Sequence, residues 1–206
     1  DGERGVFAFG ATAGRWRSPI AQFPLVLRNA AGLTSVDGSR DGRWLAAGSG
    51  SGEVLVWAMP GARAAVRLAA CDNAAKDVQF SSTSDALTVA CVGAPGLARL
   101  RRIGDTWSAI EAVSPIGSRR AGALASGRLW LTDTVLGLRL LERDRVVHHN
   151  VGPGIVEGDT AADGTGAFVI GPRGAVWQIR DSGAAPTLWW TDAGASAVGV
   201  STAISC

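Results

Sequence analysis

The sequence predicts an all-β chain made of repeated antiparallel sheets, and three observations support this prediction. Short runs of β-forming residues alternate with turn residues along the whole chain. Glycine accounts for 28 of the 206 residues and follows no collagen-like period, which is typical of a chain with many tight turns. The runs also recur at intervals of about 40 residues, the length of a propeller blade.

The clearest repeat is the stretch 33–59. Its three extended runs are separated by an Asp-Gly turn at 41–42 and by a Gly/Ser turn at 48–52. Strands that are joined by short turns pair antiparallel with their neighbours in sequence. This stretch therefore predicts three strands of one meander, and the run at 65–68 predicts the fourth.

The same four strand types recur along the chain. First strands are predicted at 33–36, 78–81, 121–124, 156–159 and 197–200. Second strands are predicted at 6–9, 45–47, 87–90, 129–131 and 167–170. Third strands centre on Trp16, Trp57, Leu100, Leu141 and Ile179, and fourth strands are predicted at 24–27, 65–68, 107–110, 145–148 and 187–190.

This order begins with a second strand and ends with a first strand. The last strand, 197–200, is therefore expected to pair with the N-terminal blade and close a ring, which removes exposed sheet edges. The predicted fold is an all-β, five-bladed β-propeller with four antiparallel strands per blade. It forms a single domain, 1–206, and a fragment of a larger ring is the alternative.

The stretch 33–59, with its Asp41-Gly42-Arg43 turn and Trp57, resembles a WD40-type blade, and 77–90 resembles one less closely. The Gly-His pair of that family is missing, and Trp57-Ala58 stands where Trp-Asp would be. The chain thus looks like a degenerate, bacterial-type WD40-like propeller. That resemblance implies a flat face and an axial mouth that bind a protein or peptide, and a place at the C-terminal end of a larger protein.

Composition excludes several classes of partner. The formal net charge is +2, so no global field favours nucleic acid or an anionic membrane. No apolar run approaches the roughly 18 residues that span a bilayer. Three cysteines are few and odd in number, which argues against a disulfide framework and predicts a cytoplasmic protein.

Four of the eight tryptophans occupy repeated strand positions and are expected to pack between blades; these are Trp16, Trp44, Trp57 and Trp130. Trp107, Trp189 and Trp190 lie in predicted outer strands instead. Adjacent residues of a strand point to opposite faces, so at least one of Trp189 and Trp190 is expected to be exposed. A lectin-like propeller, which stacks sugars on such rings, is an alternative function.

No arrangement of residues predicts catalysis. Asp77, Glu157 and Asp159 lie near first strands and could place carboxylates around the axis, as a glycosidase requires. Binding of turn N–H groups is the preferred interpretation, and a five-bladed glycosidase is the less favoured alternative. His148 and His149 are adjacent and cannot share one metal ion, so we predict no metal, no cofactor and no enzyme activity.

The predicted function is a non-enzymatic protein-interaction or sensor module. Its partner is expected to be a protein or peptide, with no nucleic acid, membrane or metal. Arginines supply the only concentration of positive charge, and the exposed aromatic pair supplies an apolar contact. The partner-binding residues predicted on this basis are Arg99, Arg101, Arg102, Arg119, Arg120, Trp189 and Trp190.

Overall fold

The structure is a computed structural model that describes residues 4–9, 12–17, 25–28, 32–59, 65–108, 111–115, 117–133, 137–142, 145–149, 151, 157–161 and 163–191. For residues 4–9, 12–17, 25–28, 133, 148 and 172, it describes the backbone alone. These residues form small antiparallel sheets in a β-propeller-like arrangement.

Four sheets are complete blades of the predicted kind. In each of these blades the strands pair in the order in which they follow one another in the chain. In chain numbering, an N-terminal sheet comes first, with β1 (Arg4–Phe9), β2 (Thr12–Arg17) and β3 (Leu25–Arg28). Blade 1 then consists of β4 (Leu33–Gly38), β5 (Trp44–Ser49), β6 (Glu53–Ala58) and β7 (Val66–Ala69).

The remaining blades follow the same meander. Blade 2 consists of β8 (Ala75–Phe80), β9 (Ala86–Cys91), β10 (Leu97–Ile103) and an outer strand in two pieces, β11 (Thr106–Trp107) and β12 (Glu111–Ser114). Blade 3 consists of β13 (Arg120–Ala123), β14 (Leu129–Asp133), β15 (Gly137–Glu142) and β16 (Arg145–His149). Blade 4 consists of β17 (Glu157–Thr160), β18 (Gly166–Ile170), β19 (Ala175–Arg180) and β20 (Thr187–Thr191), with a 3-10 turn at Pro172–Gly174.

The prediction of five four-stranded blades needs correction. The structure shows four such blades, and the N-terminal sheet has three described strands. The strand predicted at 197–200, and with it the closure of the ring, lies outside the described residues. The count differs because the prediction took the first strand of the N-terminal blade from 197–200, at the far end of the chain.

The first strand of each blade lies innermost. Strand β4 contacts β8, β8 contacts β13, and β13 contacts β17, while β1 of the N-terminal sheet contacts β4. The four innermost strands therefore run side by side around a common axis, and each blade extends outward from it.

Hydrophobic cores fill the spaces between neighbouring blades. Between blades 1 and 2, Trp107 meets Trp44 and Phe80 edge to face, with ring centroids 5.9 and 5.8 Å apart. Between blades 3 and 4, Trp130 is fully buried among aliphatic side chains. The packing between blades that was predicted for Trp44 and Trp130 is confirmed. Trp57 is buried among residues of blade 1, and Trp107 is buried as well. The side chain of Trp16 lies outside the described part of the chain.

The cysteine count argued against disulfides, and this prediction is wrong because Cys71 and Cys91 form a disulfide. Cys71 lies in the loop between blades 1 and 2, and Cys91 ends β9. An odd cysteine count does not exclude one bridge, and the repeat brings this loop against the end of β9. Cys206 lies outside the described residues. Among the described residues, no helix has the length and hydropathy needed to cross a membrane.

Candidate functional site

The innermost strands point equivalent side chains toward the axis. Each of these strands ends in a turn that is closed by a main-chain hydrogen bond; the donors are the N–H groups of Ser39, Ser81, Leu124 and Ala161. Four residues before these donors lie Ser35, Asp77, Arg120 and Glu157, which we call the upper layer. Two residues before them lie Asp37, Gln79, Gly122 and Asp159, which we call the lower layer. Residues two apart in a strand share a face, so the two layers stack along the axis.

The two layers enclose polar space. A cavity of about 330 Å³ is lined by seven of the eight layer residues: Ser35, Asp37, Asp77, Gln79, Arg120, Glu157 and Asp159. Four acidic side chains and one guanidinium, all from the four innermost strands, thus line one axial cavity.

Arg120 binds two carboxylates in the upper layer. Its Nη2 donates to Glu157 Oε2 at 2.9 Å, and its Nε lies 2.6 Å from Glu157 Oε1 within the same ion pair. Its Nη1 lies 3.2 Å from Asp77 Oδ1. One guanidinium from blade 3 therefore joins an acid from blade 2 to an acid from blade 4.

Protonation of this group reflects both burial and pairing. Burial raises the pKa of Asp77 to about 6, although Arg120 and the Ala121 N–H group both act in the opposite direction. Burial alone would lower the pKa of Arg120, but Asp77 and Glu157 raise it above its usual value. The arginine keeps its charge, while Asp77 holds a proton more tightly than an exposed carboxyl because its side chain is only 7% exposed.

Asp37 in the lower layer links blade 1 to blade 2. Its Oδ2 accepts a hydrogen bond from Phe80 N at 2.7 Å, and its Oδ1 accepts one from Gly38 N at 2.8 Å. Burial raises its pKa to about 7, and the charges of Asp159 and Asp77 act in the same direction. Asp77 makes the corresponding link to blade 3 by accepting from Ala121 N at 3.3 Å.

A chain of hydrogen bonds joins the layers across three blades. Trp130 Nε1 donates to Thr160 Oγ1 at 2.8 Å, and Thr160 Oγ1 donates to Gln79 Oε1 at 3.1 Å. Gln79 Nε2 in turn lies 3.4 Å from Asp77 Oδ2. Gly122 makes room for this chain, because a Cβ atom there would stand 2.6 Å from Trp130 Nε1 and closer still to the other two side chains.

A larger cavity, of about 710 Å³, opens above the upper layer. Three of its lining residues directly precede upper-layer positions: Thr34, Lys76 and Arg119. Thr34 and Lys76 stand at register shifts in their strands, and such bulges re-aim side chains. Lys76 and Arg119 are exposed. We call this opening, with Lys76, Arg119 and Val92 at its edge, the cationic mouth.

Firm anchors hold the segments that frame the cationic mouth. The disulfide ties the loop after β7 to the end of β9, where Val92 N donates to Ala74 O at 2.9 Å. On the other side, Ser118 Oγ lies 2.6 Å from Arg120 O, and Arg139 Nη2 donates to Gly117 O at 3.0 Å. Lys76 and Arg119 therefore project from backbone that is fixed on both sides.

The predicted arginine patch divides into two separate groups. Arg102 donates to Ser84 O in the turn after β8, and its guanidinium lies 5.7 Å from the ring centroid of Trp44. Arg101 pairs with Glu111 at 3.5 Å, and Arg99 lies on the same strand, β10. Arg101 and Arg102 lie toward the opposite end of the blades from Arg119 and Arg120, since Arg101 pairs with Ala86 at the start of β9, whereas Arg119 N donates to Thr132 O near the end of β14. Arg99 lies between, opposite Thr88 in the middle of β9.

Both predicted outer tryptophans are exposed. Trp189 is 64% exposed and Trp190 is 49% exposed, and Leu188 beside them is 51% exposed. Trp189 also meets Phe168 of β18 edge to face, with centroids 5.1 Å apart. The outermost strand of blade 4 thus presents a separate apolar surface, distant in the sheet from the axial strand β17.

Sequence reasoning anticipated part of the axial site. Asp77, Glu157 and Asp159 were expected near first strands, where an axial position was the alternative to binding of turn N–H groups, and the structure brings all three to the axial cavity. Arg120 was predicted among the partner-binding residues, and the structure shows that its side chain binds two of those acids. Asp37 and Gln79 were missed, although they occupy the same repeat position as Asp159, which was the available signal.

The described residues hold no group of three or more His, Cys, Asp or Glu side chains arranged to bind a metal ion. No protein-family model and no curated protein matches the chain.

Proposed function

We propose that this chain is a WD40-like recognition module that binds a protein partner at the cationic mouth. The observation that carries the proposal is the mouth itself, a cavity of about 710 Å³ with two exposed cationic side chains, Lys76 and Arg119. Propeller modules that this chain resembles commonly bind their partners at an axial mouth.

Charge supports this surface over the others. Among the described residues, Lys76 and Arg119 form no ion pair and line the same cavity, whereas Arg40, which also forms none, is the single cation lining the cavity at the opposite axial end. Exposed charges with no internal partner remain available to a ligand and steer its approach. Val92 at the edge of the mouth is 43% exposed and adds an apolar contact.

The axial cavity supports a non-enzymatic function. A glycosidase needs its two carboxyl groups to flank the scissile bond. Here, the guanidinium of Arg120 stands between Asp77 and Glu157 and binds both. The pair therefore serves to join blades, in keeping with a rigid binding scaffold.

Strand β20 is proposed as a second contact surface for the partner. Its residues are all exposed, and Leu188, Trp189 and Trp190 form an apolar strip. Tryptophan is enriched among the residues that dominate protein interfaces. Arg99, Arg101 and Arg102 remain a predicted contact at the opposite end of blade 2.

The disulfide changes the compartment in which we expect the protein to be found. Disulfides persist in oxidising compartments and are rare in the cytosol, where thiols are kept reduced. The bridge between Cys71 and Cys91 therefore favours a compartment outside the cytosol. We propose such a compartment in place of the cytoplasm.

Affinity capture from extracts of the source cells tests the proposed function. We expect a specific partner to be retained by the wild-type chain and lost from Lys76→Glu/Arg119→Glu. The matched control is Arg40→Glu, which reverses an exposed cation in the cavity at the opposite axial end. Equal capture by the mouth variant and the wild type, with each confirmed as folded by circular dichroism, would contradict the proposal.

A further inference from the structure

Charge changes sign with depth in the axial cavity. Lys76 and Arg119 stand at the opening, and one residue further along the same strands lie Asp77 and Arg120. Carboxylate oxygens of Asp77 and Glu157 lie within 3.2 Å of all three guanidinium nitrogens of Arg120. The cations at the opening are thus available, while the cation beneath them is already bound to acids.

This arrangement selects both the charge and the depth of a ligand. An anionic group is attracted by Lys76 and Arg119 at the opening. If it moved deeper, it would approach Glu157 and the lower-layer acids, which repel it, and the positive charge of Arg120 is already paired with Asp77 and Glu157. The favourable position for an anion is therefore the level of Lys76 and Arg119, above the upper layer.

The size and lining of the opening fit a peptide. A cavity of about 710 Å³ exceeds what one carboxylate requires and accommodates several side chains. Its edge combines the cations with Thr34 and with the exposed aliphatic side chain of Val92. Such a surface can contact the carboxylates of a peptide together with its aliphatic parts.

We propose that the cationic mouth binds an acidic peptide segment, with a side-chain carboxylate held by Lys76 and Arg119 and stopped by the Asp77–Arg120–Glu157 group beneath. This inference rests on the proposed function and names the chemistry of the partner segment.

Titration calorimetry with blocked peptides tests the inference. The probes are hexaglutamate and hexaglutamine, each acetylated and amidated, and a neutral peptide with a free C-terminal carboxylate. We expect hexaglutamate to bind the wild-type chain, with an affinity that falls as salt is raised, and hexaglutamine not to bind. Binding of the free-carboxylate peptide alone would overturn the proposal, because the ligand would then be a chain terminus.

Variants locate the binding and test its depth. Lys76→Gln/Arg119→Gln should weaken hexaglutamate binding by about tenfold or more, since charge-assisted hydrogen bonds are lost. Arg40→Gln at the opposite end should leave it unchanged. Glu157→Gln should tighten binding severalfold, because it removes a negative charge beneath the mouth and frees donors of Arg120.

The outcomes separate this inference from the proposed function. No affinity for hexaglutamate, or equal weakening by Arg40→Gln and by the mouth variant, would overturn the inference. A partner captured through Lys76 and Arg119 without hexaglutamate binding would leave the proposed function standing. If Glu157→Gln proves unstable by thermal unfolding, Asp77→Asn gives the same test of depth, with tighter binding again expected.

Discussion

Arg120 and Glu157 form an ion pair between blade 3 and blade 4, in which Nη2 donates to Oε2 at 2.9 Å and Nε lies 2.6 Å from Oε1. The same guanidinium reaches Asp77 of blade 2 at 3.2 Å. Three blades are thus joined by one side chain near the axis. The side chains of Arg120, Glu157 and Asp77 are 24%, 26% and 7% exposed, respectively, so the group is partly shielded from water.

Replacement of Arg120 should destabilise the chain. Arg120→Gln leaves Asp77 and Glu157 without their cation, and we expect a loss of about 2–3 kcal/mol, less than for a fully buried pair because water reaches this group. Urea unfolding at neutral pH measures the effect. The control is Arg101→Gln, which removes an exposed pair with Glu111 and should cost less than about 1 kcal/mol. Equal losses for the two variants would contradict the role of Arg120.

The stability of the chain should depend on pH through Asp37. Its pKa is about 7 in the folded chain and 3.8 in the reference state, so the folded chain binds the proton more tightly between these values. The free energy of unfolding should therefore fall as pH rises from about 4 to about 7, by up to ~1.4 kcal/mol per pH unit for this group. Asp77, with a pKa of about 6, acts in the same direction.

Asp37→Asn isolates this contribution. The variant loses the titrating group, so the slope of its unfolding free energy between pH 4.5 and pH 7.5, a window about three units wide, should be flatter than that of the wild type. The difference in slope is the readout, because the amide also alters the hydrogen bond from Phe80 N. Parallel pH profiles would show that Asp37 does not titrate in this window.

Gly122 should tolerate no side chain. A Cβ atom there would stand 2.6 Å from Trp130 Nε1 and would displace Gln79 and Thr160. We expect Gly122→Ala to lose about 1–3 kcal/mol, the range for overpacking. Gly32→Ala is the matched control, since no atom lies within 4 Å of the added carbon. Thermal unfolding that ranks the two variants alike would count against the hydrogen-bond chain.

The disulfide should stabilise the connection between blades 1 and 2. Cys71 and Cys91 are 20 residues apart, and a loop of this length corresponds to about 3 kcal/mol in the chain-entropy model. Reductant should lower the melting temperature of the wild type and leave Cys71→Ala/Cys91→Ala unchanged. A thiol assay of the unreduced, unfolded chain should detect one thiol of the three cysteines, because two are bridged. Detection of three would refute the bridge.

The sequence predicted the blades better than the site, for a physical reason. Strand alternation and turn residues such as Asp41-Gly42 are local signals, and the strands of blades 1 to 4 follow them closely. The axial group is not local: Asp77, Arg120 and Glu157 are about 40 residues apart and meet only because each occupies the same position in its repeat.

Arg120 illustrates the limit of local reasoning. Because Arg120 follows Arg119 in the sequence, the two residues were predicted to form one basic patch. In the folded chain their side chains point to opposite faces of the strand. Arg119 is exposed at the cationic mouth, and Arg120 binds the acids beneath it. The disulfide was missed for a similar reason, because the loop that carries Cys71 meets the end of β9 only in the folded chain.

Hydrogen–deuterium exchange of the chain, alone and with its captured partner, tests the central claim most directly. The account predicts that the partner slows exchange around Lys76, Val92 and the segment 117–120, which frame the cationic mouth. Protection confined to the opposite axial end around Arg40, with the mouth unchanged, would contradict it.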